Sequence, residues 1–341
     1  MKVTYMKLIS FVVCCYNSAK YMSKCVDSLL AGGDDVEIII IDDGSKDETG
    51  KIADDYKAKY PNIIQVIHQE NSGHGGGVQN GLAIATGKYF KVVDSDDWVD
   101  ADAYQEFLNV LRDDEDDVDL YITDYVYCVK DKDNEVISYQ KNFKAYQKMS
   151  FSEMKPLSVS EYLTIHSCAH KTSLLKSLNL QIPKKTFYED NYFIYTPLPH
   201  IKTVKYLPLP LYDYFIGRPD QSVQKKVALS RYKDYVKIAD ICFGIYSIFD
   251  YRKDRKFYRL LVHQLRIILI EALIHMRQVK TKEAKVDFKE FKRKLKATNK
   301  KQYHYFKYRD IATIGLFWPG ILGRTYARLL YWISHLVVSF N

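Results

Sequence analysis

Three apolar runs in the first hundred residues of this 341-residue chain are each followed by polar side chains. The runs end at Cys15, Ile41 and Val93 and consist mainly of Val, Ile and Phe, which is typical of strands buried on both faces. Between the first two runs, apolar residues recur at positions 21, 25 and 29, the spacing of one helix face. This alternation of strand and helix predicts an α/β fold whose sheet is largely parallel.

Each apolar run ends in side chains suited to binding a polar ligand. The sequences at these ends are Tyr16-Asn17, Asp42-Asp43-Gly44-Ser45 and Asp94-Ser95-Asp96-Asp97. Ligands of open parallel sheets bind at the carboxyl ends of the strands, so we expect the three clusters to share one site. Asn17 is also placed to cap the helix that follows it.

The acidic segment Asp94–Asp97 has three carboxylates within four positions. Carboxylates packed this closely repel one another unless a divalent cation shares them. Hard oxygen ligands suit Mg²⁺ or Mn²⁺, and such an ion can also hold a diphosphate. An acidic turn that binds no ligand is the alternative, because an Asp-x-Asp pattern alone is short.

A glycine-rich segment, Asn71–Gly77, precedes the third run. It lacks the spacing of a dinucleotide-binding loop, because Asn80 stands where the third glycine belongs, and the chain has no P-loop pattern. An esterase loop would need a Gly-x-Ser-x-Gly turn, which is absent from the sequence. A flexible loop passing close to a ligand and a purely structural turn remain. His74 is interpreted as a loop donor or a spectator, because no second histidine lies at metal-ligand spacing.

Charge is distributed unevenly along the chain. Residues 1–220 hold 24 Lys and Arg against 33 Asp and Glu, whereas residues 221–341 hold 26 against 9, a net charge of +17. An acidic half and a basic half imply different partners. The six cysteines are scattered without a Cys-x-x-Cys pair, which favours reduced thiols over disulfides or zinc ligands.

Taken in order, these motifs resemble those of the family 2 (GT-A fold) nucleotide-sugar glycosyltransferases. The resemblance rests on Tyr16-Asn17, Asp42-Asp43-Gly44-Ser45-x-Asp47, the stretch from Asn71-x-Gly73 to Asn80-Gly81, and Asp94-Ser95-Asp96-Asp97. It covers residues 8–100 and extends less fully to residue 222. It implies a GT-A-like, Rossmann-type sheet, mixed but mostly parallel, in a catalytic domain at 1–222. A basic all-helical region would follow at 223–341.

The resemblance also implies an activity. This is the inverting transfer of a hexose or N-acetylhexosamine from a UDP-sugar to a hydroxyl of a cell-surface glycan or lipid-linked acceptor. Asp94 and Asp96 would hold Mn²⁺ or Mg²⁺, which stabilises the charge developing on the departing diphosphate. The residues implied in nucleotide binding are Tyr16, Asn17, Asp43, Asn71, Gly73, Asp94 and Ser95.

The segment Phe187–Asn191 contains a Glu-Asp pair. By resemblance to the family, Asp190 is the catalytic base and Glu189 the second candidate. The base would take the acceptor proton while the hydroxyl attacks the anomeric carbon. The structural alternative is a helix N-terminus, where the helix dipole favours acidic residues. Both can hold together, because a helix start is a rigid mount for a carboxylate.

Three further residues are assigned to phosphate or acceptor binding: Arg218, Ser222 and Trp98. Arg218 to Ser222 resembles a family segment in which a basic group and a hydroxyl meet phosphate oxygens, and the arginine fork suits an oxyanion. A surface loop is the alternative. The preceding segment, Leu207–Tyr214, contains two prolines, which predict an edge segment and exclude a central strand.

The region from Val227 onward has helical spacing with Lys and Arg interleaved. Its basic helices and the Trp318/Trp332 tail favour contact with an anionic membrane surface. A solvated helical bundle and a surface that binds an anionic-polymer acceptor are the alternatives. Nucleic-acid binding is disfavoured, because the sequence shows no known nucleic-acid recognition fold. No uncharged run reaches the roughly 20 residues that span a bilayer. We therefore expect a cytoplasmic protein, peripheral at the inner face of the cell membrane, with homo-oligomerisation left open.

Two other functions are compatible with the motifs. A polyprenyl-phosphate glycosyltransferase would use a phosphate acceptor that needs little help from a base, although the predicted lack of transmembrane helices argues against it. An inactive nucleotide-sugar-binding or membrane-scaffold module is opposed by the complete set of acidic residues.

Overall fold

The computed structural model describes residues 6–337 apart from 114, 219, 220 and 223. Its strands are β1 (Ile9–Cys15), β2 (Val36–Asp42), β3 (Ile64–His68), β4 (Tyr89–Asp94), β5 (Trp98–Val99), β6 (Leu120–Val129), β7 (Glu135–Ile137), β8 (Lys148–Met149), β9 (Cys168–Lys171) and β10 (Val204–Ile216). Its α-helices are α1 (Met22–Leu30), α2 (Thr49–Lys59), α3 (His74–Ile84), α4 (Ala101–Asp113), α5 (Thr172–Ser177), α6 (Asp190–Tyr195), α7 (Lys225–Ser230), α8 (Tyr232–Ile245), α9 (Arg255–Gln278), α10 (Lys282–Thr298), α11 (Lys300–Tyr308), α12 (Ile311–Ile314) and α13 (Gly320–Val337). Short 3₁₀ turns occupy Gly33–Asp35, Leu198–His200, Ile248–Tyr251 and Gly315–Phe317.

The strands join in one mixed sheet with the order β3-β2-β1-β4-β9-β6-β10-β5. The first four run parallel, as do β6 and β10, while β9 lies antiparallel between β4 and β6. The central strands are apolar and buried on both faces, as expected for a parallel sheet covered by helices. The predicted α/β class, with a mixed, mostly parallel sheet and helices after it, is confirmed.

The register of the sheet places the predicted polar clusters side by side. Cys15 of β1 pairs with Asp42 of β2, and Cys14 pairs with Asp94 of β4. The ends of three parallel strands therefore meet at one edge, with β1 in the middle.

Two local predictions are wrong. β10 is an interior strand, between β6 and β5, and its pairing with β6 shifts register between Leu207 and Pro210 and again between Pro210 and Tyr212. This irregularity accommodates the prolines, which cannot donate to a regular ladder. Asn17 does not cap α1; its side-chain oxygen accepts a hydrogen bond from the Lys46 amide at 2.8 Å.

Contacts divide the chain into two compact units. The first comprises the described residues of Met1–Met154, Leu163–Thr186 and Pro199–Gly217, and it contains the sheet. The second comprises those of Lys155–Tyr162, Phe187–Leu198 and Arg218–Asn341. The Glu189-Asp190 pair therefore belongs to the helical unit, although it precedes residue 222 in the chain.

The helical unit is built around α9. The apolar residues of its predicted face from Leu260 to Ala272 are buried, and Asp254 caps its start by accepting from the amides of Lys256 and Phe257. All six cysteines of the chain are buried free thiols. Among the residues that the structure describes, no helix is both long enough and apolar enough to cross a membrane.

Candidate active site

The end of β2 carries a buried carboxylate that orders the loop beside it. Asp43 is 3% exposed. Its Oδ1 accepts hydrogen bonds from the Gln69 side chain and the Ser72 amide, both at 2.7 Å, and its Oδ2 accepts from the Gly73 amide at 2.8 Å. Hydrogen bonds to an ionised acceptor are strong, so Asp43 fixes loop 69–73. Its predicted contact with the nucleotide base stays a prediction.

A cleft lies at these strand ends. It is lined by Tyr16, Asp42, Gly44, Lys46, His68, Gln69, Glu70 and Asn71. Two of the predicted nucleotide-binding residues, Tyr16 and Asn71, are among them, and the Tyr16 side chain is half exposed. Burial opposes the charge of Asp42, but hydrogen bonds from Ser45 and His68 hold the pKa of that carboxyl below its usual value.

The glycine-rich segment forms a helix, so the prediction of a flexible loop is wrong for residues 74–77. Helix α3 begins at His74 and packs two of its glycines, Gly77 and Gly81, closely against β1. A Cβ on Gly77 would lie 2.7 Å from the Cys14 sulfur, and one on Gly81 would lie 2.6 Å from Val12 methyl carbons. The glycines thus allow the helix to approach the sheet.

Asp97 is the most buried carboxylate of the acidic segment, at 1% exposed. The Tyr212 hydroxyl donates to its Oδ2 at 2.6 Å, and the Phe215 amide donates to its Oδ1 at 2.8 Å. Burial, together with the charges of Asp94 and Asp96, raises the pKa of Asp97 well above its ordinary value. A cation at this place would favour the ionised form, because it reverses the sign of the local field.

Asp94, Asp97 and His166 each bring one ligand atom within 4.8 Å of the other two. The His166 Nδ1 is buried and has no hydrogen-bond partner among the described residues. Burial lowers the pKa of His166 to about 4, so the imidazole is neutral and able to ligate a metal. Two carboxylates and one imidazole fit Mn²⁺ better than Mg²⁺, which prefers oxygen ligands. His74 Nε2 also lies 3.0 Å from Oδ1 of Asp94.

Three predicted residues adjoin this cluster in sequence. Asp96 is not part of the group of possible ligands found among the described residues, so its metal role stays a prediction. Ser95 is buried, and its hydroxyl lies 2.7 Å from that of Ser18. The Lys24 ammonium lies 2.7 Å from the centre of the Trp98 ring. Ser95 therefore joins the turn after β4 to the loop after β1.

A buried lysine holds His166 in place. Lys91 lies in β4 at 1% exposed, and its Nζ donates to the His166 carbonyl at 2.5 Å. Burial lowers the pKa of Lys91 to about 7. The His166 ring stacks on Tyr214 with a centroid distance of 4.4 Å. Lys91 therefore fixes the backbone of His166, and Tyr214 fixes its ring.

Sequence reasoning missed His166 and Lys91 for different reasons. His166 follows a segment without periodicity and lies far along the chain from Asp94, so no local pattern marks it. Lys91 did leave a signal, because a lysine inside the apolar run Tyr89–Val93 is a charge expected to be buried.

The predicted catalytic base lies in the helical unit. Asp190 is the first residue of α6, where the helix dipole favours a carboxylate, and Glu189 before it is 4% exposed. Arg218 and Ser222 lie in the same unit, and the Ser222 carbonyl accepts a hydrogen bond from the Tyr188 hydroxyl at 3.1 Å. The catalytic role of Asp190 stays a prediction.

Comparison with known proteins defines the family. The model of glycosyl transferase family 2 matches residues 10–177. The putative glycosyltransferase EpsH of Bacillus subtilis (strain 168) is 30% identical over 257 residues, which are 72% of this chain and 72% of that protein. The chain belongs to glycosyl transferase family 2 and is a glycosyltransferase.

Two further similarities concern a relative and a solved structure. Poly(ribitol-phosphate) beta-glucosyltransferase of Bacillus spizizenii is 37% identical over 116 residues, which are 33% of this chain and 18% of that protein. The crystal structure of S. aureus TarS 1–349 in complex with UDP-GlcNAc superposes with a TM-score of 0.69 at 19% identity, covering 96% of this chain and 92% of that one. At this identity the likeness shows the fold, and the predicted GT-A-like architecture is confirmed.

Proposed function

We propose that the enzyme transfers a hexose or N-acetylhexosamine from a UDP-sugar to a hydroxyl of a cell-surface glycan or lipid-linked acceptor, with inversion at the anomeric carbon. The observation that carries the proposal is the grouping of Asp94, Asp97 and His166 at the sheet edge that also carries the cleft lined by Tyr16 and Asn71. The UDP-GlcNAc complex of TarS supports the donor class. The match to a poly(ribitol-phosphate) beta-glucosyltransferase supports a glycan or anionic-polymer acceptor.

Each residue has a chemical role in this proposal. Asp94 would hold Mn²⁺, or less suitably Mg²⁺, together with Asp97 and His166 or with Asp96. The bound metal supplies positive charge to the departing diphosphate. Tyr16 and Asn71 contact the nucleoside in the cleft. Asp190 in the helical unit accepts the proton of the acceptor hydroxyl.

A polyprenyl-phosphate acceptor is the alternative within the same enzyme class. A phosphate nucleophile is already ionised and needs little help from a base, so this alternative predicts an enzyme that tolerates loss of Asp190.

We also propose that the enzyme works at the inner face of the cell membrane as a peripheral protein. The proposal is supported by the charge of residues 221–341, which hold 26 Lys and Arg against 9 Asp and Glu. Anionic lipids attract basic surfaces of this kind.

Calorimetric titration with UDP-, GDP-, CDP- and dTDP-sugars, each with and without Mn²⁺, tests the donor proposal. We expect binding of a UDP-sugar that is lost in EDTA. Metal-independent transfer at full rate, or preference for another nucleotide, would contradict it.

A further inference from the structure

The last elements of the helical unit expose large apolar side chains. We call this set the apolar face; it consists of Ile311, Trp318, Ile321, Leu322, Leu329, Trp332 and Ile333. Ile311 is 86% exposed and Ile321 78% exposed. Single exposed apolar residues are ordinary, but a contiguous group on one surface marks a binding site.

The helical spacing brings these side chains together. At about 100° per residue, the five members within α13 fall inside an arc of about 120°. Gly323 and Ala327, on the other side of this helix, are buried. The Tyr326 hydroxyl donates to the Ile311 carbonyl at 2.9 Å, and its ring lies 5.6 Å from that of Trp318. Tyr326 thus joins the members outside α13 to those within it.

The polar groups beneath this surface are satisfied from inside the unit. The Arg277 guanidinium donates to the Leu316 carbonyl at 2.9 Å and also to the Trp318 carbonyl. Burial lowers the pKa of Arg277 to about 10. In the segment 316–318 before α13, the carbonyls of Leu316 and Trp318 are therefore hydrogen-bonded inside the unit, and the Trp318 side chain faces outward. Arg324 and the exposed Arg328 lie at one flank of the apolar arc.

We propose that the apolar face docks on an anionic lipid surface, with α13 lying parallel to the membrane. Trp, Leu and Ile on one side of a helix, with arginines at the flank, are the composition of an interfacial helix. The positive charge of the region complements anionic headgroups. The inference deepens the peripheral location in the proposed function, because it assigns the contact to particular side chains.

Sedimentation with phosphatidylcholine vesicles, with and without phosphatidylglycerol, tests the docking surface in the full chain. The double substitution Leu322→Ser/Leu329→Ser should weaken binding to anionic vesicles at least about tenfold, since each leucine loses its apolar transfer energy. The control is Val159→Ser/Val286→Ser, because these valines are 86% and 60% exposed elsewhere in the same unit. Arg324→Gln/Arg328→Gln should weaken the preference for phosphatidylglycerol.

Two results would overturn the docking proposal. One is equal vesicle binding by wild type, face variant and control. The other is a wild-type dimer in analytical ultracentrifugation that the face variant dissociates while lipid affinity stays unchanged, which would assign the face to a second copy. Calorimetric UDP-sugar binding, measured on the same samples, reports separately on the proposed transferase function.

A different observation concerns the turn before Asp190. Tyr188 has φ 66°, in the left-handed region that bulky side chains rarely adopt. Such a conformation persists only where the surroundings enforce it, and it is common at functional sites. The turn 187–189 therefore requires contacts that hold it.

Helix α8 and the residue before it supply those contacts. The Arg231 guanidinium lies 4.4 Å from the centre of the Phe187 ring. The Tyr235 ring stacks on that of Tyr188 at 3.5 Å and 13°, and on that of His275 at 4.4 Å and 6°. The three parallel rings, with the Tyr188 hydroxyl bonded to Ser222, clamp the strained residue.

The geometry points to Tyr235 as a positioning residue for Asp190. The stack fixes Tyr188, and Tyr188 sets the direction in which the chain enters α6, at whose first position Asp190 lies. This inference rests on the proposed role of Asp190 as the base.

Steady-state kinetics of Tyr235→Leu test the positioning role. We expect kcat to fall at least about tenfold, as for a misplaced catalytic group, with the UDP-sugar affinity unchanged. Tyr235→Phe keeps the stack and should restore kcat. The double variant Tyr235→Leu/Asp190→Asn should be no slower than Asp190→Asn alone, because residues acting as a unit are not additive. His275→Leu, which weakens the stack but keeps Tyr235, gives the same test if Tyr235→Leu fails to fold.

The outcomes separate the two proposals. If Asp190→Asn is inactive while Tyr235→Leu and His275→Leu both keep a normal kcat, the positioning role of Tyr235 is overturned and the role of Asp190 as the base is retained. Additive losses in the double variant also overturn it. A fully active Asp190→Asn instead removes the base from the proposed function.

Discussion

The strand ends of the sheet unit and the turn before α6 both present carboxylates, but the two regions hold them by different means. In the sheet unit, Asp43 and Asp97 accept hydrogen bonds directly from backbone amides and from side chains of the same unit. In the helical unit, stacked rings clamp Tyr188, and Asp190 follows two residues later.

The difference has a chemical consequence. Hydrogen bonds from amides fix the oxygen atoms themselves, which suits ligands that must bind a cation or order a loop. Ring stacking fixes the turn before Asp190, whose Oδ1 accepts a hydrogen bond from the Asn191 side chain at 3.3 Å. We therefore expect donor binding to depend on the sheet unit and the chemical step to depend on the turn, so that mutations separate them.

The largest difference between the effect on the chemical step and the effect on donor binding should come from Asp190→Asn. The substitution keeps the shape of the side chain but removes its ability to accept a proton. We expect a loss of about 10²–10⁴-fold in transfer rate, typical of a general base, with unchanged calorimetric affinity for UDP-sugar and Mn²⁺. Glu189→Gln, measured beside it, tests the second candidate for the base. Near-normal turnover of Asp190→Asn and Glu189→Gln alike would favour the phosphate acceptor.

The next effect concerns the metal ligands. His166→Phe keeps the ring that stacks on Tyr214 but removes the nitrogen ligand. We expect a loss of at least about 10–100-fold in Mn²⁺ affinity, because removing a ligand costs no less than removing a hydrogen-bond partner of a ligand, with kcat at saturating Mn²⁺ affected less.

Asp96→Ala, measured beside His166→Phe, decides between the two candidate ligand sets. If Asp96→Ala abolishes Mn²⁺-dependent donor binding and His166→Phe leaves it intact, the metal is held by Asp94 and Asp96. The reverse result assigns it to Asp94, Asp97 and His166.

A smaller effect is expected at Asp43. Asp43→Asn replaces one acceptor oxygen with a donor facing the amides of loop 69–73, which should destabilise the protein by about 1–3 kcal/mol and weaken donor binding. Denaturant unfolding measures the first effect and calorimetry the second. Asp55→Asn, on the exposed side of α2, is the control. Unchanged stability of Asp43→Asn would show that the loop is ordered by other contacts.

An effect of similar size on stability sharpens the comparison of the two units through pH. Burial lowers the pKa of His170 in β9 to about 3, from the roughly 6.5 of an exposed imidazole. Between these values the unfolded chain binds a proton that the folded chain does not, so stability falls as the pH falls from 6.5 towards 3. His170 contributes a slope of about 1.4 kcal/mol per pH unit at most, and His166, whose pKa burial lowers to about 4, adds a dependence of the same sign.

Hydrogen exchange at pH 7 and pH 5 checks this expectation. Amides of β4, β6 and β9 should lose protection at pH 5 before those of α9 and α10. In His170→Gln this difference between the units should shrink. Equal loss of protection in both units of the wild type would contradict the assignment to His170.

Much of the fold follows from local patterns. The runs predicted to end at Cys15 and Ile41 form β1, which ends at Cys15, and β2, which ends one residue later at Asp42, because runs of β-branched residues have few other ways to be buried. The strand β3 was not predicted, although Ile64, Val66 and Ile67 are apolar, because a short strand is easily absorbed into the helix pattern beside it. The acidic strand ends and the Glu189-Asp190 pair could also be identified from the sequence, because the residues that define each feature are adjacent in the chain.

Tertiary structure alone decided which distant residues share a site and which unit each belongs to. The topology inserts β9 beside β4, and only this brings His166 to Asp94 and Asp97, at a separation in sequence that no local rule spans. It also makes the glycines of α3 a packing surface for β1, where the sequence indicated a flexible loop. Local periodicity reports whether a segment buries one face or two, because that depends on its own residues. The partner of that face depends on chain connectivity and on packing across the whole fold.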